Sequence, residues 1–350
     1  MQISQMEREA LTAPQVLVRQ FAENRYVLQD LCARLQCYPP IFAMTIARGS
    51  SDHAATFAKY LLETQLGLVT ASAAPSAVTL YDANLQLKNS LVIGLSQSGQ
   101  SPDIAEMFIA ARRAGAITVA IVNQTESPLA KAAEYVIPLW AGPELAVAAT
   151  KSYIATLGVL VQLVAFLKQD PTLLDALIRL PESLHMAAQM DWSAAGLVYQ
   201  ERNNTLVVAR GYGFPIAQEA ALKFKETARI HAEAFSGAEL LHGPFALVQQ
   251  AFPLLMFAQQ DVSLPGMLDL AKQVRQLGAN VLLAVPSQAV SKSELDDAAS
   301  VVLPLPKALH PICDPLMMIQ AFYVMMSRLA IARGFNPDAP ENLSKVTKTW

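Results

Sequence analysis

The chain has 350 residues, enough for about two domains, and 53% of them are hydrophobic while 16% are charged. This composition excludes a disordered chain, and the net charge of -3 gives no general signature of nucleic-acid binding. Three cysteines, an odd number without metal-ligand spacing, suit a reducing compartment. We therefore expect a cytoplasmic protein that binds no nucleic acid and no metal ion and needs no organic cofactor.

The N-terminal segment is polar and lacks the apolar core of a signal peptide. We predict that this segment forms a helical arm. The longest apolar run, about residues 153–167, is shorter than the ~20 residues that span a bilayer and contains Gln162. This run predicts a buried helix of a soluble protein with no membrane partner.

The chain repeats itself at a nearly constant offset. A strand, an Ala-Arg-Gly turn and an Ala-rich helix occur over residues 44–63 and again over 207–226. A helix-ending glycine followed by an apolar strand occurs at Gly115 and again at Gly278. Short apolar strands that alternate with amphipathic helices predict an α/β fold with two tandem, doubly wound parallel sheets of the flavodoxin-like type.

These patterns also predict the domain boundaries. We expect a helical arm over 1–29, a first α/β domain over 30–167, a polar helical connector over 168–195, a second α/β domain over 196–335 and a tail over 336–350.

A cluster of hydroxyl side chains lies between a strand and a helix in the first half. Ser96–Ser101 follows the apolar run Leu91–Leu95 and precedes Pro102, which is typical of a first helical position. The free N–H groups and the dipole of a helix N-terminus attract anions, and serine hydroxyls add uncharged donors. An ordinary strand-to-helix turn with an N-cap would explain Ser101 and Pro102. Three serines within six residues favour a phosphate site instead.

The second half lacks this cluster. At the corresponding position it has Gln259–Val262, which contains Asp261 and is a poor cradle for phosphate. Gly211-Tyr212-Gly213 continues with Phe-Pro, so it does not indicate a dinucleotide site. The second half is therefore expected to contribute something other than phosphate binding.

Two segments of the second half carry candidate acid–base groups. Lys223 and Glu226 lie at a helix end, where a solvated, charged surface is the ordinary interpretation. His242, followed by Gly-Pro, lies on a fixed loop that can direct its ring toward a ligand. For His231 we expect a partly buried histidine with a structural role. For His53 a structural role and a role in contacting a ligand both stay open.

Six short motifs stand out: Ser96–Ser101, Val147–Lys151, Ala221–Glu226, Ile230–Ala234, Glu239–Pro244 and Asn342–Lys345. With the arm residues Met6–Glu9 they resemble the sugar isomerase (SIS) family, in particular the two-domain isomerase half of glutamine:fructose-6-phosphate amidotransferases. The resemblance covers nearly the whole chain.

The resemblance implies roles for individual residues. Glu226 would move a proton between C1 and C2 of the sugar, His242 would assist ring opening in the site of a neighbouring subunit, and Lys345 would reach the reacting end of the sugar. It also implies a homodimer with the site at the subunit interface. Residues implied to bind or line the phosphosugar are Ser51, Ser96, Gln97, Ser98, Ser101, Val147, Lys223 and, within the tail motif, Ser344.

The sequence also departs from that pattern. It has Gln2 where the amidotransferase family begins a glutaminase domain with a nucleophilic cysteine, so no source of ammonia from glutamine is expected. Ala149 replaces a serine and Ser344 replaces an alanine. We therefore predict an enzyme that deaminates and isomerises glucosamine 6-phosphate to fructose 6-phosphate and ammonia.

Two alternatives stay open. The first is another activity of the family, either on galactosamine 6-phosphate or as a deglycase of fructosamine-type 6-phosphates. The second is a non-catalytic phosphosugar sensor, because such domains also occur in regulators. A DNA-binding regulator would need a basic helix-turn-helix, for which the mixed-charge arm is a poor candidate.

Overall fold

The computed structural model describes residues 3–346, and the first two residues of the arm and the last four of the tail lie outside the described range. The chain forms two compact units. Of the described residues, the first unit contains Gln15–Glu144, Lys151–Leu177 and residues 344–346. The second unit contains residues 3–14, Leu145–Thr150 and Ile178–Leu343.

Three helices open the chain: α1 (Gln5–Leu11), α2 (Ala13–Glu23) and α3 (Arg25–Cys37). The arm is therefore helical, but α3 runs past the boundary that we placed after residue 29. Leu28, Leu31 and Leu35 recur at helical spacing and are all buried, so no break in the apolar pattern ends the helix there.

The first repeat builds a five-stranded sheet in which every pairing is parallel. The strand order is β2-β1-β3-β4-β5. Strand β2 is added on one side of β1 and the later strands on the other side, so the strand order reverses between β1 and β3. Its strands are β1 (Ala43–Ile46), β2 (Thr70–Ser72), β3 (Leu91–Ser96), β4 (Ile117–Val122) and β5 (Tyr135–Pro138). Its helices are α4 (Ser50–Leu66), α5 (Pro75–Thr79), α6 (Pro102–Arg113), α7 (Pro128–Ala132) and α8 (Lys151–Lys168).

The apolar run near residue 160 forms α8, as predicted. Within the described residues, α8 and a second helix, α15 (Asp314–Ala332), are long and apolar enough to cross a membrane. In both, 83% of the apolar window is buried inside the fold, which is the pattern of a core helix. Of these two helices, only α8 was predicted from the sequence as a long apolar run.

Helix α9 (Pro171–Ala188) and helix α10 (Ser193–Tyr199) connect the two repeats. The expectation of a polar connector is wrong for the inner face of α9, because Leu173, Leu177 and Leu180 are buried. Their spacing gives α9 one apolar face, so this helix is amphipathic.

The second repeat builds another parallel sheet, with the order β10-β9-β8-β6-β7. Numbered from its own first strand, each sheet reads 2-1-3-4-5 along its length, which confirms the predicted pair of flavodoxin-like repeats. Its strands are β6 (Asn204–Ala209), β7 (His231–Ser236), β8 (Pro253–Phe257), β9 (Asn280–Ser287) and β10 (Val301–Lys307). Its remaining helices are α11 (Phe214–Ala228), α12 (Gly237–Leu240), α13 (Leu264–Gln276) and α14 (Lys292–Ala298), with single 3₁₀ turns at Gly211–Gly213 and Pro244–Leu247.

The two helix-ending glycines have the same conformation in both repeats. Gly115 follows α6 with φ +87°, and Gly278 follows α13 with φ +83°. In each case the left-handed backbone ends the helix and turns the chain into a central buried strand, as the sequence predicts.

Candidate active site

The serine cluster of the first unit forms the loop between β3 and α6. Ser96 ends the strand and Ser101 is the N-cap residue before Pro102, so the predicted local structure is confirmed. Ser96 Oγ accepts a hydrogen bond from the Gly99 N–H at 2.9 Å, and Ser98 Oγ accepts one from the Gln100 N–H at 3.4 Å. In these contacts both hydroxyls act as acceptors, which leaves their own protons for a ligand.

Gly99 is required by the shape of this loop. Its φ is +62°, and a Cβ atom added there would lie 2.1 Å from Ser127 Oγ. The side chains of Ser96, Gln97 and Ser98 are half-buried around it, so the loop is compact but open to solvent. This geometry suits a small anion approached by backbone and hydroxyl donors.

Ser51 comes from the neighbouring strand connection. It lies in the first turn of α4, directly after β1, and β1 pairs with β3 in parallel register. The carboxyl ends of these two strands flank the point where the strand order reverses, and ligands of open α/β sheets bind at that point. The fold therefore brings Ser51 and the serine loop to the same edge of the sheet.

An ion pair that the sequence analysis missed joins these two connections. Arg48 follows β1, and its guanidinium lies 2.8 Å from the carboxylate of Asp103, which is buried in the first turn of α6. The pair holds the beginning of α6 against the end of β1. Beside them, burial raises the pKa of the Asp52 carboxyl, while His53 and Arg48 act in the opposite direction.

The tail residue Lys345 also belongs to the first unit. Its Nζ lies 3.2 Å from the carboxylate of Glu144, whose side chain is fully buried. Glu144 also accepts hydrogen bonds from the backbone N–H and the hydroxyl of Ser152, at 3.1 Å and 2.6 Å. Ser344 is exposed, and its hydroxyl donates to the Val346 carbonyl at 3.3 Å.

Val147 lies in the second unit, on a segment fixed by two acidic residues. The Val147 N–H donates to the Asp338 carbonyl at 2.9 Å, and the Glu9 carboxylate accepts from the N–H groups of Leu145 and Ala146 at 2.6 Å and 3.2 Å. Asp338 in turn accepts, through its carboxylate, the first N–H groups of α1. The arm helix α1 therefore anchors both the tail and the segment that carries Val147.

Helix α11 of the second unit carries a buried charge cluster. The side chain of Lys223 is 1% exposed, and its Nζ contacts Glu226 at 2.6 Å and Glu219 at 3.2 Å. The ordinary interpretation of a solvated helix end is therefore wrong for Lys223. Burial lowers the pKa of Lys223, but the attraction of both carboxylates outweighs it and raises the pKa overall.

Glu226 is the member of this cluster that reaches solvent. It lines a cavity of about 510 Å³ together with the following turn of the chain and much of the tail segment Gly334–Leu343. Arg229, in the left-handed conformation that ends α11, forms an ion pair with Glu341 at the rim. A carboxylate held on one side by an ammonium and open to a cavity on the other can accept a proton from a bound molecule.

His242 lies elsewhere in the second unit. It is exposed and lines a separate cavity of about 380 Å³ with Arg210 and Ser263, and it does not line the cavity of Glu226. His242 and Glu226 therefore line different cavities of this chain. His231, expected to be partly buried, is exposed on β7, and His53 is half-buried.

Some polar residues of these clusters could not be selected from the sequence, and one could have been. Glu219 lies one helical turn before Lys223, and this i,i+4 spacing is a recognisable signal. Glu144 and Lys345 are 201 positions apart, so no local pattern connects them. Among residues 3–346, no three His, Cys, Asp or Glu side chains are grouped so that they could hold a metal ion.

Two flavodoxin-like repeats, one with a serine-rich loop where its strand order reverses, place this chain in the class of tandem α/β proteins. The SIS domain model matches residues 43–166 and again 198–332. The chain therefore belongs to the SIS domain family and contains two copies of that domain, as the motifs predicted.

Several known proteins are similar to this chain. The glutamine–fructose-6-phosphate aminotransferase [isomerizing] of Methanothermobacter thermautotrophicus is 33% identical over 302 residues, which are 86% of this chain and 50% of that protein. The corresponding protein of Thermotoga maritima is 29% identical over 355 residues, 97% of this chain and 58% of that protein. The chain thus spans about half the length of the curated relatives that it matches.

Solved structures share the fold over most of the chain. A protein of Silicibacter pomeroyi DSS-3, named provisionally as a phosphosugar isomerase, is 37% identical with a TM-score of 0.88, covering 96% of this chain and 100% of that one. The C-terminal domain of glucosamine-fructose-6-phosphate aminotransferase from Francisella tularensis is 24% identical with a TM-score of 0.85, covering 96% and 98%. At that lower identity the second likeness concerns the fold alone.

Proposed function

We propose that this protein is a phosphosugar-converting enzyme that deaminates and isomerises glucosamine 6-phosphate, giving fructose 6-phosphate and ammonia. The observation that carries the proposal is the Glu226 carboxylate, paired with Lys223 and open to a cavity. The relatives named as isomerizing fructose-6-phosphate aminotransferases support a proton transfer on the same sugar skeleton.

The proposed reaction has three steps. His242 acts as the acid–base group that opens the pyranose ring. Glu226 then removes the proton from C2 and returns it to C1, which converts the amino aldehyde into an imine at C2. Water adds to this imine, and the C–N bond breaks to release ammonia and leave the C2 ketone. The Lys345 ammonium stabilises the negative charge of the enolate-like intermediate that forms when the C2 proton is removed.

The serine loop supplies binding rather than chemistry in this proposal. The substrate phosphate is held by the hydroxyls of Ser96, Ser98, Ser101 and Ser51 and by the free N–H groups at the start of α6. Gln97 adds an amide donor, and Val147, Lys223 and Ser344 line the rest of the sugar site. Binding energy from the remote phosphate keeps the reacting carbons in register with the base.

The direct test is to incubate the protein with glucosamine 6-phosphate in the absence of glutamine and to measure ammonia and fructose 6-phosphate. We expect equal amounts of both, with solvent deuterium incorporated at C1. Glu226→Gln keeps the shape but cannot accept the proton, so turnover should fall by about 10²–10⁴-fold. Glu233→Gln, an exposed change on β7, is the matched control.

The same assay separates the alternatives. Turnover of galactosamine 6-phosphate or of a fructosamine 6-phosphate instead of glucosamine 6-phosphate would assign one of the other sugar-phosphate activities. Tight binding of a phosphosugar without turnover of any of these compounds would assign a non-catalytic sensor. Full activity of the Glu226→Gln variant would remove this residue from the mechanism.

A further inference from the structure

The buried cluster on α11 contains a carboxylate that the proposed reaction does not use. Glu219 is completely buried, and its carboxylate contacts the Lys223 ammonium at 3.2 Å. The phenol of Tyr323, on α15, donates a hydrogen bond to the same carboxylate at 3.0 Å. Glu219, Lys223 and Glu226 lie four and three residues apart, so they share one face of the helix.

The exposures of the two carboxylates differ in a way that suggests different tasks. The side chain of Glu219 is 0% exposed, whereas that of Glu226 is 22% exposed. Only Glu226 lines the cavity, so only Glu226 can meet a bound molecule directly. Glu219 is connected to Glu226 through Lys223, whose Nζ contacts both carboxylates.

A fully buried lysine stays charged only if its surroundings compensate for lost hydration. Desolvation favours the neutral amine, and removal of one carboxylate partner leaves much of that cost uncompensated. Glu219 and Glu226 are the two groups whose charges raise the pKa of Lys223 against this effect. Tyr323 contributes indirectly, since its hydrogen bond favours the ionised form of Glu219.

Further charged groups lie on the elements around this cluster, and Arg333, which follows α15, donates to the Ala228 carbonyl of α11 at 3.1 Å. Lys225 and Arg229 of α11 and Glu341 of the tail line the cavity, and Arg229 is engaged with Glu341. The adjoining strand β7 carries His231 and Glu233, which are both exposed.

We propose that Glu219, held by Tyr323, is a positioning residue that keeps the Lys223 ammonium charged and directed at Glu226. A charged Lys223 donates to one side of the Glu226 carboxylate and fixes the side that faces the cavity. A neutral Lys223 would release the carboxylate and could itself take up protons. The inference rests on the proposed role of Glu226 as the base.

The test follows the protonation of Lys223 directly. In protein carrying ¹³C at lysine Cε, NMR titration reports each ammonium, and Lys223→Arg identifies the signal while keeping the charge. We expect the Lys223 signal of the wild type to stay in its charged form up to at least pH 10. In Glu219→Gln its midpoint should fall by at least about one pH unit, since a close unit charge is worth that much.

Kinetics supply the second readout. For Glu219→Gln we expect kcat at pH 7 to fall about three- to tenfold with KM nearly unchanged, and the alkaline loss of activity to move to lower pH. Tyr323→Phe should show the same changes at smaller size. The glutamine side chain still accepts from Tyr323 and Lys223, so both variants should fold.

The matched controls are Glu233→Gln, which removes an exposed carboxylate, and Tyr199→Phe, which removes another buried phenol that hydrogen-bonds Thr205. An unchanged Lys223 midpoint and an unchanged alkaline limit in Glu219→Gln would overturn the inference. A wild type that turns over no phosphosugar would refute the proposed function, while the NMR titration would still decide whether Glu219 keeps Lys223 charged.

Discussion

The Nζ of Lys345 lies 3.2 Å from the buried carboxylate of Glu144, across 201 positions of sequence. Glu144 also binds the backbone N–H and hydroxyl of Ser152 in the first turn of α8. The tail lysine is thus attached to a rigid helix start by an ion pair. Since Lys345 is proposed to stabilise charge during the reaction, its position should depend on Glu144.

Glu144→Gln tests this dependence. The amide oxygen still accepts from Ser152, but the attraction to Lys345 is lost, and hydrogen bonds to charged groups are worth about 1.5–3 kcal/mol. We expect kcat to fall at least about tenfold and the melting temperature to change by a few degrees. Glu23→Gln on α2 is an exposed control. Wild-type kcat in the Glu144 variant would separate Lys345 from the reaction.

Replacement of Ser96 and Ser98 by alanine should weaken substrate binding before it slows turnover. Each change removes a hydroxyl that can donate to the phosphate and also a local acceptor of a loop N–H. The loss of two donors to a charged group should raise KM by about 10²-fold or more. Ser293→Ala, on the exposed surface of α14, should leave KM unchanged. A wild-type KM in the double variant would exclude this loop as the phosphate site.

His242 should act in the site of a second subunit. It is exposed and does not share the cavity of Glu226, so a dimer is the simplest way to combine them. Glu226→Gln and His242→Asn homodimers should each be nearly inactive. After subunit exchange, about half the dimers are mixed and each has one intact site, so activity should recover to about a quarter of the wild-type value.

The control for this experiment is each variant exchanged with itself, with exchange verified by differently tagged chains. If verified exchange restores no activity, His242 acts within its own chain or takes no part in the reaction.

Asp314 should make the protein less stable as the pH rises from the unfolded pKa of 3.8 to about 7. Burial raises the pKa of this carboxyl to about 7, against the opposing N–H of Gln260, which donates to it at 3.1 Å. Because the folded pKa exceeds the unfolded value of 3.8, the folded state is favoured below that value and loses this advantage up to about pH 7.

Asp314→Asn should remove that part of the pH dependence. At pH 8 the variant should be more stable than the wild type, by up to a few kcal/mol in the free energy of unfolding measured with urea. The exposed Asp297→Asn variant should follow the wild-type curve. Parallel curves for wild type and Asp314→Asn between pH 4 and pH 8 would contradict the shifted pKa.

Local patterns in the sequence determined the fold and much of the candidate site. The strand Ile117–Val122, the cap at Ser101 and the glycines Gly115 and Gly278 were predicted because each depends on a few adjacent residues. The repeated pattern in the two halves predicted two sheets of the same kind. The serine loop was recognisable for the same reason, since its hydroxyls, glycine and helix start are contiguous.

Tertiary structure decided which charges are buried and which side chains meet. Lys223 resembles a solvated lysine in sequence, yet Tyr323, 100 residues away, helps to enclose it through Glu219. The partners of Lys345 and Val147, Glu144 and Asp338, lie outside any local pattern as well. Burial and electrostatic interaction depend on distance in space, and spacing along the sequence does not reveal that distance for residues so far apart.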